Sequence, residues 1–162
     1  MRLNNCFCNH PCPIFCSINL TCQGNEVVNP VLTQSYAFFS NNDVGTVETN
    51  AIIPLSLSQV SGDSISASTT TDGAINLLSG TYEISYFAQG TVPSSGTISV
   101  SLGLDGTEIP GSEISQTLDL GSEVTMSKTI LVSVTQESTL ELVNNSSQTT
   151  NFDSASIFVR RL

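Results

Sequence analysis

Beyond residue 30 the chain alternates apolar and polar residues, and no helical periodicity is sustained anywhere. Alternation of this kind turns successive side chains to opposite faces of a strand. The clearest case is 80–90, bounded by Gly80 and Gly90. Tyr82, Ile84, Tyr86 and Ala88 fall on one face, and Glu83, Ser85 and Gln89 on the other. Phe87 alone breaks the pattern. As the most aromatic run, this strand is the expected spine of a core.

Other strands follow from the same rule. A short aromatic one is expected over 34–40, ahead of an Asn41-Asn-Asp43 turn. At 52–60, Ile53, Leu55, Leu57 and Gln59 oppose Ser56 and Ser58, and Pro54 marks a sheet edge or strand start. Residues 65–68 make a weak strand and 74–78 another, separated by Thr71-Asp-Gly73. Over 97–104, Ile98, Val100, Leu102 and Leu104 share a face, and Asp105-Gly106 then signals a tight hairpin. Short return strands are expected at 107–110 and 117–120, and the longest strand at 123–134. In the longest, Lys128 shares the face of Val124, Met126, Ile130, Val132 and Val134, which predicts a bulge, a strand end or a subunit seam. Strands at 140–143 and 154–162 complete the series, with 92–96 and 144–147 as loops. Many short strands with polar turns define an all-β sandwich, barrel or jelly roll.

Composition narrows the function. Of 162 residues only 11% are charged, about half the usual share. Ser, Thr, Asn and Gln take the polar positions, which suits packed assemblies and durable surfaces. Net charge is −10, from 14 acids against 4 bases (Arg2, Lys128, Arg160 and Arg161). Nucleic acid and anionic membranes are excluded as partners, since both demand clustered Lys and Arg. No apolar run approaches the ~20 residues that span a bilayer, and residues 1–30 carry no secretory leader pattern. The expectation is a protein that stays where it is made or reaches a surface by another route.

No nucleophile has a base beside it in sequence: His10 is the only histidine, so a Ser-His-Asp site is not expected. No acid sits in an apolar run that would raise its pKa for glycosidase work. Asp105-Gly106 reads as a turn rather than a calcium loop. The reading is of a protein that is not an enzyme and needs no cofactor. Residues 1–30 hold all five cysteines, Pro11 and Pro13, and read as an extended arm; 31–162 read as the folded domain.

Four stretches together resemble a known family. These are Tyr36-Ala-Phe-Phe-Ser40, Gly80-Thr-Tyr-Glu-Ile-Ser-Tyr-Phe87, Ser99-Val-Ser-Leu-Gly-Leu-Asp-Gly-Thr-Glu-Ile-Pro-Gly111 and Ala155-Ser-Ile-Phe-Val-Arg-Arg-Leu162. In order and spacing they resemble the jelly-roll heads of the tumour necrosis factor and complement globular-head superfamily. More narrowly they resemble the C-terminal domain of BclA-type exosporium proteins of bacterial spores. The resemblance covers 31–162. It implies an antiparallel jelly-roll sandwich, a homotrimer, a place on the spore surface and no catalysis. The chain departs from the BclA type in having neither a Gly-X-Y stalk nor the exosporium leader. A jelly roll behind a short cysteine arm resembles instead the subunits of endospore appendages, whose N-terminal connectors dock into the next subunit. That implies a head-to-tail polymer of trimers, made in the mother cell without a signal peptide, with a spore-surface anchor and a tip protein as further partners. The alternative is a trimeric tip or adhesin head that binds a glycan or host protein through loops 91–96 and 144–153.

Three sets of residues become candidates. Cys6, Cys8, Cys12, Cys16 and Cys22 are an odd number, so at least one thiol is free or pairs between chains. Interchain crosslinks are the favoured reading, against zinc held with His10 or a reduced tail; the paired knuckles of zinc sites are missing. Ile14, Phe15, Ile18 and Leu20 are the apolar anchors of a docking connector, against packing on their own domain. Phe39, Phe87 and Phe158 sit beside core-facing neighbours and are expected to point outward into a trimer interface, against an ordinary second inner face.

Overall fold

The computed structural model describes residues 34–162. Twelve strands follow in order: β1 (Tyr36–Asn41), β2 (Gly45–Val47), β3 (Ser56–Ser61), β4 (Ile65–Ala67), β5 (Ile75–Leu77), β6 (Gly80–Thr91), β7 (Gly96–Leu104), β8 (Thr107–Glu108), β9 (Ile114–Leu118), β10 (Glu123–Val134), β11 (Ser138–Asn144) and β12 (Thr150–Arg161). Every pairing among them is antiparallel. Sheet one runs β10-β6-β12-β1-β3, with β2 against β12; sheet two runs β4-β5-β11-β7-β8, with β9 against β7. The crossovers make this a jelly-roll sandwich.

β6 sits where its sequence predicts, in the middle of sheet one between β10 and β12. Tyr82, Ile84, Tyr86 and Ala88 point into the core, and each is at most 2% exposed. Their largest companions are Phe39 and Phe152, with Ile98, Leu102, Leu140 and Leu142 from sheet two. Two tyrosines this deep need partners for their hydroxyls. Tyr82 donates to the Leu78 carbonyl at 2.7 Å, and Tyr86 to the Ser112 carbonyl. Burial pushes the Tyr86 hydroxyl up to about 12. It also raises Tyr82, with the Arg161 guanidinium pulling the other way.

The hairpin expected at Asp105-Gly106 is there. Both residues have positive φ, 51° and 74°, as a two-residue primed turn requires, and Leu104 faces Thr107 across it. The Asp105 carboxylate is used locally, accepting the Thr139 amide at 2.7 Å.

Several expectations are corrected. The strand expected at 52–60 is two pieces: Ile52 bridges to Val143 of sheet two, and β3 starts only at Ser56 in sheet one. Pro54 lies in the crossing, where a missing N–H costs no ladder bond. Ile53 and Leu55 are buried there, whereas Leu57 is 40% exposed on an edge strand. Lys128 causes neither a bulge nor a strand end, because β10 pairs β6 without a break from Glu123 to Val134. β10 is an edge strand, so the lysine stem leaves the sandwich sideways and its Nζ donates to the Glu113 carbonyl at 3.1 Å. The return strand at 117–120 runs instead over Ile114–Leu118. Asn144 belongs to β11 rather than to a polar loop. Its fully buried amide donates to the Val47 and Glu48 carbonyls at 3.0 and 3.1 Å.

Candidate functional site: the outer face of sheet one

Because side chains alternate, sheet one carries a second face turned away from the core. Register lines its residues up in rows. One row is Thr129, Ser85, Phe158, Phe38 and Gln59, from β10 to β3. A second is Ser127, Phe87, Ser156 and Ser40. A third holds Leu131, Glu83, Arg160 and Tyr36. Phe38, Phe87 and Phe158 border a shallow depression of about 480 Å³ floored by Ser85, Ser127 and Ser156. The Tyr36 and Phe158 rings lie 6.4 Å apart, tilted by 32°.

Several polar groups on this face pair with one another, while Arg160 Nε is buried without a partner. Ser85 and Thr129 hydroxyls are 2.7 Å apart, as are those of Ser40 and Ser58. Arg160 and Glu83 form the one ion pair among the described residues. Those rows carry no other charge. Leu131 adds apolar surface, at 68% exposed. These three rows of aromatics, small hydroxyls and one internally neutralised pair have little to lose by leaving water; Lys128 borders the depression and Glu123 lies beyond it at the end of β10.

The predicted site residues fare unequally. Phe87 and Phe158 lie on this face, half-buried within the single chain. Phe39 does not: it is 1% exposed, opposite Ile157, and packs in the core. Phe38 takes its place outside, 36% exposed and opposite Phe158. In Tyr36-Ala-Phe-Phe-Ser40 either parity puts a Phe inside, and a one-residue shift exchanges the faces. Pairing with β12 decides it. Cys6, Cys8, Cys12, Cys16 and Cys22, and Ile14, Phe15, Ile18 and Leu20, lie outside the described residues.

The candidate ligand loops are shorter than expected, since β6 runs to Thr91 and β12 begins at Thr150. Ser146, Thr150 and Phe152 are fully buried. The remaining loops, 92–95 and 145–149, touch. The Ser94 hydroxyl donates to Gln148 Oε1 at 2.6 Å, and Gln148 Nε2 donates to the Ser94 carbonyl at 3.0 Å.

No family model and no curated protein matches the chain. Solved structures do. Murine APRIL at pH 5.0 superposes with a TM-score of 0.62 at 8% identity, over 80% of this chain and 99% of that one. The globular domain of zebrafish complement 1qA protein gives 0.60 at 8%, over 79% and 96%. Eiger TNF from S. frugiperda gives 0.59 at 14%, over 80% and 93%. At such identities the likeness concerns the fold. The chain shares the antiparallel jelly-roll fold of these structures.

Proposed function

We propose that the chain is a structural subunit that forms a homotrimer through the outer face of sheet one. The composition of the middle of that face carries the reading: Phe38, Phe87 and Phe158 around a depression lined by serines and threonine with Lys128 at its edge, next to the paired Arg160 and Glu83, while Glu123 stands at the end of β10. Each ring is already partly buried in the single chain, so sealing it in a seam contributes less than the roughly 1.5–3 kcal/mol of full burial, and the rings of all three copies act together against the cost of association. The jelly-roll likeness to the complement and TNF heads supports the same assembly.

Trimers then join head to tail into a spore-surface fibre, exosporium or appendage, with residues 1–30 as the connector and interchain disulfides as the lock. This part rests on the sequence resemblance and on the odd number of cysteines, all of which lie in that arm. The role is non-enzymatic. Negative-stain microscopy of the purified full chain, with and without reductant, tests it. Fibres that loosen into trimer-sized particles in reductant are expected. Single-chain particles in both conditions would refute it.

The second reading is a trimeric tip or adhesin head that recognises a glycan or host protein. The junction of loops 92–95 and 145–149 through Ser94 and Gln148 favours it, since two loops fixed to each other make a more rigid contact surface than two free ones. Under this reading, purified protein stays as discrete trimers.

A further inference from the structure

The outer face of sheet two carries a groove of about 440 Å³, within the usual range of ligand sites. Its floor is Ser101 and Gly103 of β7, and its walls are Glu141 of β11, Glu108 of β8, and Asn50 and Asn145 from two connecting segments. The groove exists because Gly103 has no side chain. Gly103 is not in the left-handed region, so its backbone does not call for glycine. A strand-interior glycine gives up about 0.5–1 kcal/mol and commonly marks a place that something approaches closely. A Cβ there would lie 3.3 Å from Glu141 Oε2 and 3.6 Å from Val143 Cγ2, closing the trough.

The lining is held in place. Asn145 Nδ2 donates to Ser101 Oγ at 2.7 Å and to Glu108 Oε2 at 3.2 Å, tying the loop to two strands. Register sets Glu108 and Glu141 on either side of Gly103, and with the Asn50 amide and the Asn145 carbonyl oxygen they offer a largely acceptor lining that suits hydroxyl and ammonium donors. No Lys or Arg lines the groove, and the chain as a whole carries −10. An anionic sugar is therefore repelled, while a sugar ammonium gains charge-assisted bonds.

We infer that this groove is a binding site for a saccharide bearing amino sugars, the ammonium held between Glu108 and Glu141 and the hydroxyls by Asn50 and the Asn145 carbonyl oxygen. It lies on the opposite sheet from the proposed trimer face and stands whichever of the two readings above holds. Titration calorimetry of the full-length protein tests it, with a glucosamine trimer and its N-acetylated counterpart as probes. Acetylation keeps most hydroxyls and removes the charge. The glucosamine trimer should bind at least about tenfold tighter. Gly103→Val suits a strand and meets chiefly the end of a flexible Glu141 side chain; it should abolish binding of both. Glu141→Gln changes no shape and should remove the preference for the amine. No heat with the glucosamine trimer, equal affinity for the two probes, or unchanged binding in either variant would overturn the assignment.

Discussion

The two sheets of this sandwich turn very different faces to the outside. Sheet one shows Tyr36, Phe38, Phe87 and Phe158 among serines and threonines, with Arg160 and Glu83 paired and Lys128 beside the depression. Sheet two shows Glu108 and Glu141 around a trough opened by Gly103, with Asp105 close by and no base in the lining. Both faces rest on the same core, so packing cannot explain the contrast. A face that is cheap to dehydrate suits a large dry contact. A face with unneutralised carboxylates stays wet and takes only ligands that bring donors or positive charge. The same strand alternation thus gives two outer faces of opposite chemistry, which the proposals above assign to assembly and to recognition.

The strongest way to test the contrast is at the adjacent phenylalanines of β1. Phe39→Ala empties a core position and should cost about 3–5 kcal/mol, read as a large drop in unfolding temperature. Phe38→Ala, one residue away, should leave the fold of the single chain within about 1 kcal/mol and weaken association instead. If the two variants behaved alike, the assignment of inner and outer faces on β1 would be wrong.

Next comes Phe158→Asp. A carboxylate without a partner in a desolvated seam costs about 3–5 kcal/mol, so association should weaken at least about a hundredfold. The circular dichroism spectrum should not change, because Phe158 lies outside the core. Glu141→Lys on the other sheet is the matched control and should leave the mass of the assembly unchanged.

Arg160→Ala should have a smaller effect. Its side chain is 42% exposed and that of Glu83 30%, so within one chain the pair contributes about 0.2–1 kcal/mol, less at high salt. A seam over the pair removes water from the Glu83 left behind. The loss in trimer stability should therefore exceed the loss measured on the dissociated head.

The smallest effect concerns Glu141. Burial, and then the charge of Asp105, raises its pKa. The folded chain therefore holds that proton to higher pH than the unfolded chain does, and stability falls as pH rises through this window. Glu141→Gln removes the penalty. Its unfolding temperature should match wild type in acid and lie slightly above it at neutral pH.

How legible each region was in the sequence follows from how local its cause is. β6, β7 and β10 were readable because long alternation permits only one parity, and the Asp105-Gly106 turn because its residues carry the needed φ. β2, three residues long and paired only with β12, offers no period to detect. The parity of β1 depends on partners far along the chain, which is why Phe39 was expected on the outer face and Phe38 is found there. The outward positions of Phe87 and Phe158 could be read, since each stands between core-facing neighbours on its own strand. The groove could not be read. It is assembled from residues 50, 101–108 and 141–145, and its defining feature is a side chain that Gly103 lacks.

The central claim is that sheet one, not sheet two, joins the copies. The direct measurement is the solution mass of the full-length chain in reductant, by light scattering, for wild type, Phe158→Asp and Glu141→Lys. The account predicts three times the 17.1 kDa chain mass for wild type and Glu141→Lys, and a single chain mass for Phe158→Asp. A wild-type mass of one chain, or a trimer that survives Phe158→Asp and falls apart with Glu141→Lys, would contradict it.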